Sequence, residues 1–300
     1  YGFLKYCGKK QILRVPELLE GKQDGSKLKI LKNIYFSLSG EYLSEDALEE
    51  ISNAISFVKN KLIPPESYKR ELRDFPLIFE KYEQYKKEKN LIDFDDILSL
   101  AYSVLKSDEG VCAGYAAHRF VHVDEAQDVS LLQHKVIELL SKNGSLFMVA
   151  DTDQSIYGFR GADPEYIVNI NMIYPDAEII KLETNYRSTA CIVELSNSFI
   201  SRNVYRHPKR MDTLNEKGKY PCYISAKDSK DQIRKVIELL ADGYAKKTAA
   251  VLYRNNLSGI PVAYELIKNG IPFYMRDNYS NFFRHPVIAD VFNFFHFSEN

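Results

Sequence analysis

The residues of this chain best suited to chemistry lie in FVHVDEAQDVS at 120–130, where an apolar run ends in an Asp-Glu pair followed, after one residue, by Gln-Asp. Phe120, Val121 and Val123 predict a buried strand, which puts Asp124 and Glu125 at its carboxyl end, where open α/β sheets hold their ligands. An Asp there suits Mg²⁺, which keeps much of its water and takes few carboxylates. A neighbouring Glu can orient and deprotonate a water that attacks a terminal phosphate. Two adjacent acids could thus divide metal binding and base chemistry between them. Taken alone, such a pair is more often a solvated turn.

Two further clusters follow at strand ends. In ADTDQSIYGFRGA at 150–162, Gln154 could reach a terminal phosphate, and Tyr157, Phe159 and Arg160 place two rings and a guanidinium in one glycine-broken loop. That composition suits stacking on the bases of a single strand; the alternative is a tight turn whose aromatics fill a domain interface. In KLETNYRSTA at 181–190, Tyr186 could stack on a planar base, and Arg187 could neutralise charge building on a γ-phosphate. Arg187 could equally pair with Glu183.

The elements that must position these clusters alternate. Strand 120–123 leads to helix 130–142, strand 145–150, helix 164–173, strand 178–182 and helix 189–201, with Asp163 and Thr189 as N-caps. Strand 221–226, helix 230–241, strand 248–253, helix 260–268, strand 271–275 and helix 286–297 predict a second α/β unit, and the order implies parallel sheets. Residues 1–90 look mostly helical, with 79–90 an exposed helix carrying Tyr82, Tyr85 and Lys86-Lys87, and no catalytic constellation. Asp93 can cap a helix through Ile97, Leu98 and Leu105. Arg206, His207, Lys209 and Arg210 mark the link near 202–219, as a solvated loop or a phosphate contact.

Three hundred residues at 45% apolar can bury a sizeable core, and the length suggests about two domains. No apolar run approaches the ~20 residues needed to cross a bilayer, and YGFLKYCGKK at the start lacks a signal-peptide pattern, so a soluble cytoplasmic protein with no membrane partner is expected. Cys7, Cys112, Cys191 and Cys222 are far apart and the six His show no ligand spacing, so neither a disulfide framework nor a zinc site is indicated, and buried free thiols are the simpler account. Lys plus Arg against Asp plus Glu count 17 and 14 over 1–90, 7 and 16 over 91–190, and 16 and 11 over 191–300, giving +3, −9 and +5 within a total of −1. The acidic middle suits a cation; the flanks could serve a polyanion, or the division is ordinary variation.

In this order and at these separations, the clusters closely resemble those of the UvrD/Rep/PcrA-type superfamily 1 DNA helicases. VDEAQD matches that family's motif II, DTDQSIYGFRGA its motif III and LETNYRS its motif IV. The likeness continues through AVLYRNN at 250–256 and YSNFFRHPVIADVFNFF at 279–295. The resemblance implies an α/β fold of two RecA-like parallel-sheet motor domains, both incomplete, with an N-terminal helical arm insertion. Residues 1–90 would be the arm, 91–201 the C-terminal part of the first motor, entered through LIDFDDIL at 91–98, and 202–300 the N-terminal part of the second.

It also implies ATP hydrolysis with Mg²⁺, coupled to 3′ to 5′ movement on single-stranded DNA and to unwinding at single/double-strand junctions in repair or recombination. Asp124 would bind Mg²⁺ and Glu125 act as general base. Gln154 would sense the γ-phosphate, Arg187 would be the γ-phosphate arginine, Tyr186 would stack on adenine, and Tyr157, Phe159 and Arg160 would face DNA. The chain departs from the family at Phe159, where a Trp is frequent, and at Ala150, where Gly is common.

No G-x-x-x-x-G-K-[ST] occurs: the Gly-Lys pairs at 8–9, 21–22 and 218–219 are followed by Lys, Gln and Tyr. The chain therefore reads as an internal fragment lacking the phosphate loop and motifs V and VI, expected to be inactive alone. A non-enzymatic DNA-binding scaffold derived from a degenerate helicase, or the helicase module of a helicase-nuclease, are the alternatives. A dinucleotide enzyme fails for want of G-x-G-x-x-G after a strand.

Overall fold

The computed structural model describes residues 2–21, 26–68, 72–115, 120–241, 248–254, 258–275 and 290. The chain divides into two compact units, Tyr1–Lys219 and Tyr220–Asn300. Helix α1 spans Gly2–Lys9, and a short strand β1, Glu17–Leu18, precedes α2, Lys27–Ser39. Ser26 accepts a hydrogen bond from the Lys29 amide at the start of α2, and Gly40, at φ 73°, closes its end. Helix α3, Glu45–Lys61, is capped by Ser44, with acids in its first turn and lysines in its last, matching the helix dipole. Helix α4, Phe75–Lys89, carries a proline in its first turn. Leu31, Ile55, Phe75, Ile78 and Tyr82 form the core among these three helices, where each buried large side chain contributes about 1.5–3 kcal/mol.

This helical layer is tied to the next element by buried charge. Strand β2, Leu91–Ile92, pairs in parallel with β1, and helix α5, Phe94–Ser107, begins at a capping box in which Asp93 and Asp96 each accept the other's backbone N–H. Asp93 is fully buried and also accepts from Tyr82 Oη at 3.0 Å and Lys86 Nζ at 3.2 Å. Lys59 bridges Asp96 and Glu83, Lys86 also reaches Asp96 and Glu83, and Lys27 reaches Asp95 at 3.0 Å. Burial pushes the Asp93 carboxyl up, but Lys59, Lys86 and Lys27 outweigh it and hold the group far below the usual carboxylate range. The helix over 79–90 is exposed along most of its length as expected, but not at Tyr82, which is fully buried, or Lys86, which is 2% exposed, because both turn inward to Asp93.

Helix α6, Glu109–Tyr115, leads towards β3, Phe120–Val123, which pairs in parallel with β4, Ser145–Met148, across helix α7, Leu131–Ser141. The register is Phe120 to Ser145 and Val123 to Met148. Ser130 and Gln133 form a second capping box at the start of α7. The strand 120–123 is half-buried rather than buried, since Phe120 is 65% exposed while Val121 and Val123 face inward.

Beyond β4, the expected helix 164–173 is broken at Asn169 into α8, Pro164–Val168, and α9, Ile170–Ile173, and α10 spans Ala190–Ile200. Asp163 and Thr189 precede α8 and α10 without capping them through a side-chain bond, and among the described residues the buried Thr189 hydroxyl has no partner. The expected strands 178–182, 221–226, 248–253 and 271–275 are not ladders among the described residues; near the first, one parallel bridge joins Thr184 to Asp212. The fold is α/β, mainly helical, with two small parallel sheets among the described residues.

The second unit contains α11, Ser229–Ala241, and α12, Gly259–Lys268, which bury Ile237 and Leu266. The expected helix 286–297 and most of 279–295 lie outside the described residues, as do Asn255 and Asn256. Cys7 and Cys191 are buried as expected, but Cys222 is exposed. Among the described residues no helix is long and apolar enough to cross a membrane.

His134 on α7 is fully buried, stacks face to face on Tyr166 with ring centroids 3.7 Å apart, and has no hydrogen-bond partner on either nitrogen among the described residues. Burial pushes its imidazole down to about 4, against the pull of Asp163 and Glu138. The unfolded chain therefore binds the extra proton first, and stability falls as pH drops below about 6.5 towards 4. Thermal unfolding followed from pH 8 to pH 4 should show this loss, and His134→Phe should flatten it over that window. In the ionic layer, Asp93→Asn leaves Lys59 and Lys86 undercompensated in a buried site, and urea unfolding should report a loss of about 3–5 kcal/mol.

Candidate functional site

Asp124 and Glu125 leave the end of β3 and turn sharply. Glu125 has a φ of 49° and ψ of 42°, a left-handed conformation that costs a residue with a β-carbon about 1–3 kcal/mol. The surroundings enforce it: Val149 N donates to Val123 O at 2.8 Å and Ala126 N to Val149 O at 2.9 Å, continuing the pairing past both strands. Asp124 is exposed, and one of its carboxylate oxygens accepts the Glu125 amide at 2.9 Å.

Gln127, 1% exposed, links this turn to the loop after β4. Its Nε2 donates to Glu125 Oε2 at 2.7 Å, and its Oε1 accepts the Asp151 amide at 2.8 Å. Asp151 in turn accepts from Gln154 Nε2 at 2.8 Å. Glu125, Gln127, Asp151 and Gln154 thus form one hydrogen-bonded series along the carboxyl ends of β3 and β4. Beside it, burial and the Glu125 charge push the Asp128 carboxyl up, and its Oδ1 is buried without a partner among the described residues.

The loop 151–162 is fixed from two sides. Arg206 grips Asp153 with two bonds of 2.8 Å, and Lys209 pairs with Asp151. The cluster at 206–210 is therefore neither a solvated loop nor free to contact phosphate at these two positions. Burial pushes the Asp151 carboxyl up, and hydrogen bonds from Lys209, Gln154 and the Asp153 amide more than offset this, leaving it below the ordinary range. On the other side, Gly161 sits at φ 90° with the position of its missing β-carbon 2.7 Å from Asn60 Cβ on α3, so no other residue fits there. Lys61 of α3 pairs with Asp163 at 3.3 Å.

Between these anchors the aromatic turn is exposed. The Tyr157 and Phe159 rings are 6.1 Å apart, and the Arg160 guanidinium lies 5.3 and 5.4 Å from their centroids. Phe159 also lines a shallow cavity of about 260 Å³ together with Asp46, Glu49 and Glu50.

Tyr186 and Arg187 stand in a separate turn. Asn185 Oδ1 accepts the amides of Arg187 and Ser188, and the strip 183–185 pairs with Asp212. Tyr186 is 77% exposed, and among the described residues the Arg187 guanidinium has no ion pair, so Glu183 is not its partner. The structure links Glu125 and Gln154, with Asp124 adjacent, and no hydrogen bond or ion pair among the described residues joins Tyr186 or Arg187 to them.

Sequence reasoning missed Gln127 as the linking residue and, although it singled out Arg206 and Lys209, missed their pairing with Asp153 and Asp151. One signal was present: a polar residue two positions after Glu125, in a turn leaving a strand, must satisfy its amide locally. The pairs with Arg206 and Lys209 span more than fifty residues and left no local trace.

The family profile described as UvrD/REP helicase N-terminal domain matches residues 9–175, and that described as UvrD-like helicase C-terminal domain matches 180–300. The ATP-dependent DNA helicase Rep of Buchnera aphidicola subsp. Acyrthosiphon pisum is 30% identical over 259 residues, 82% of this chain and 40% of the relative. The ATP-dependent DNA helicase PcrA of Staphylococcus aureus is 31% identical over 252 residues, 80% of this chain and 34% of the relative. The chain thus spans well under half the length of these curated relatives. With both profiles matched across the loops that carry Asp124, Gln154 and Arg187, the chain belongs to the UvrD/Rep/PcrA-type helicase family.

Proposed function

We propose that these residues are part of an ATP-dependent helicase that moves 3′ to 5′ along single-stranded DNA and opens single/double-strand junctions during repair or recombination in the cytoplasm. One observation carries this reading: the buried Gln127 amide binds Glu125 to the loop that bears both Gln154 and the exposed aromatics. Nucleotide chemistry and DNA contact would then share one rigid support. Residues 1–90 would be the helical arm of a RecA-like first motor continued by 91–201, with 202–300 opening the second.

Asp124 suits Mg²⁺. It is exposed and spends one oxygen on a backbone amide, and among the described residues no cluster of three or more His, Cys, Asp or Glu forms a full protein cage. A single hard carboxylate is what Mg²⁺ takes when water and phosphate complete its shell. The ion would supply charge neutralisation at the terminal phosphates. Glu125, with Oε2 held by Gln127, keeps Oε1 for the proton of the attacking water. Gln154 uses one N–H on Asp151 and has a second for a terminal phosphate oxygen. Arg187, without an ion pair among the described residues, would meet charge on the γ-phosphate, and Tyr186 would stack on adenine.

Tyr157, Phe159 and Arg160 would stack the bases of single-stranded DNA. The acids Asp46, Glu49 and Glu50 beside Phe159 disfavour phosphate there, so the DNA backbone would run on the side of the loop away from α3. These 300 residues hold no phosphate loop of the G-x-x-x-x-G-K-[ST] kind, and by themselves would hydrolyse ATP poorly.

In the full-length protein that carries this chain, DNA-stimulated ATP hydrolysis should be measurable, and Glu125→Gln should lower kcat by about 100-fold or more. Residues 1–300 alone should show no such turnover, and turnover by them would overturn that part of the reading. Phe159→Ala should weaken binding to a single-stranded oligonucleotide by about 1–3 kcal/mol, read by fluorescence anisotropy. Binding that is unchanged would count against the aromatic turn as a DNA contact.

A further inference from the structure

The cations at 206 and 209 do more than occupy a linking segment. Arg206 Nε and one terminal nitrogen each lie 2.8 Å from an oxygen of Asp153, and the same terminal nitrogen donates to Lys209 O at 2.9 Å. His207 adds two contacts: its amide reaches Thr152 Oγ1 at 3.4 Å, and its Nε2 lies 2.8 Å from Ile167 O. The four side chains of the two ion pairs are largely removed from water, with Arg206 and Asp153 only 11% and 12% exposed. A bidentate pair so placed fixes geometry better than a solvated contact does.

The Asp151 carboxylate is divided. Oδ1 takes Lys209 Nζ and the Asp153 amide, while Oδ2 takes Gln154 Nε2. The direction of Oδ2, and with it the Gln154 amide, is therefore set by what grips Oδ1. The two cations also cancel the two negative charges of Asp151 and Asp153, which would otherwise repel an incoming phosphate.

We propose that Lys209 and Arg206 are positioning residues that aim Gln154 through Asp151 and Asp153. They make the nucleotide-facing turn answer to the segment 202–219, which runs on into the second compact unit. This rests on the phosphate-sensing role proposed for Gln154. Neither cation touches nucleotide; both act through the acids they hold.

The test is steady-state DNA-stimulated ATP hydrolysis by the full-length protein, with Glu125→Gln as the control for the site itself. Lys209→Met and Arg206→Gln should each lower the stimulated kcat at least tenfold while the half-saturating concentration of single-stranded DNA stays within twofold. Lys209→Arg should recover kcat to within threefold of the unaltered protein, as should the exchanged pair Arg206→Asp with Asp153→Arg. Folded fractions measured by thermal unfolding normalise each rate. If a single variant does not fold, the exchanged pair and Lys209→Arg decide the question. Unaltered kcat in folded Lys209→Met and Arg206→Gln, or no recovery in the exchanged pair, overturns the inference while the nucleotide reading stands. No stimulated turnover in the unaltered protein overturns both.

Discussion

Gln127 spends both ends of a buried amide on neighbouring loops, donating to Glu125 and accepting from the Asp151 backbone. A buried amide left half-satisfied would cost about 1–3 kcal/mol, so the two loops are held at one spacing by the need to avoid that loss. The left-handed Glu125 is affordable for the same reason: the β3 and β4 pairing on one side and Gln127 on the other leave it no other conformation. Strain and stitch belong to one device. It puts the strand-end acids and the loop of Gln154 on a common edge before any ligand arrives.

The charge division of the sequence gains its meaning from pairing within the chain. The acidic middle, at −9 over 91–190, is met from both flanks. Lys27, Lys59 and Lys86 reach Asp93, Asp95 and Asp96 from the N-terminal side, and Arg206 and Lys209 reach Asp153 and Asp151 from the C-terminal side. Part of the flanking positive charge is thus used inside the fold. Asp124 and Glu125 have no cation in either set, and stand as negative charge able to attract a metal. Helix α3 carries both influences, since Lys59 enters the ionic layer while Asn60 and Lys61 brace the aromatic turn at Gly161 and Asp163.

Local chemistry was legible in the sequence where local chemistry decides the structure. Asp93 does cap α5, strand 120–123 and helix 131–141 lie where periodicity puts them, and α10 begins one residue after Thr189. What failed depends on partners outside the local repeat. Ile179, Ile180 and Leu182 have the composition of a strand, yet are exposed and lack a ladder among the described residues, because alternation reports a face and cannot report a neighbour. Tyr82 and Lys86 looked solvated in a run of Lys and Glu; their partner Asp93 lies just past the helix end, with Lys27 and Lys59 arriving from other helices. At the site, residue types fixed the chemistry of the acids and aromatics, while the Gln127 connection and the Arg206 and Lys209 anchors needed coordinates.

If Gln127 makes the support rigid, Asp124, Glu125 and Gln154 form one nucleotide-facing edge. A structure of the full-length protein with Mg²⁺ and a non-hydrolysable ATP analogue tests it most directly. The predicted result has Asp124 in the metal's surroundings, Glu125 within hydrogen-bond reach of a water in line with the terminal phosphate, Gln154 against that phosphate, and Gln127 still joining Glu125 to Asp151. A triphosphate bound elsewhere, with these three side chains facing solvent, would contradict it.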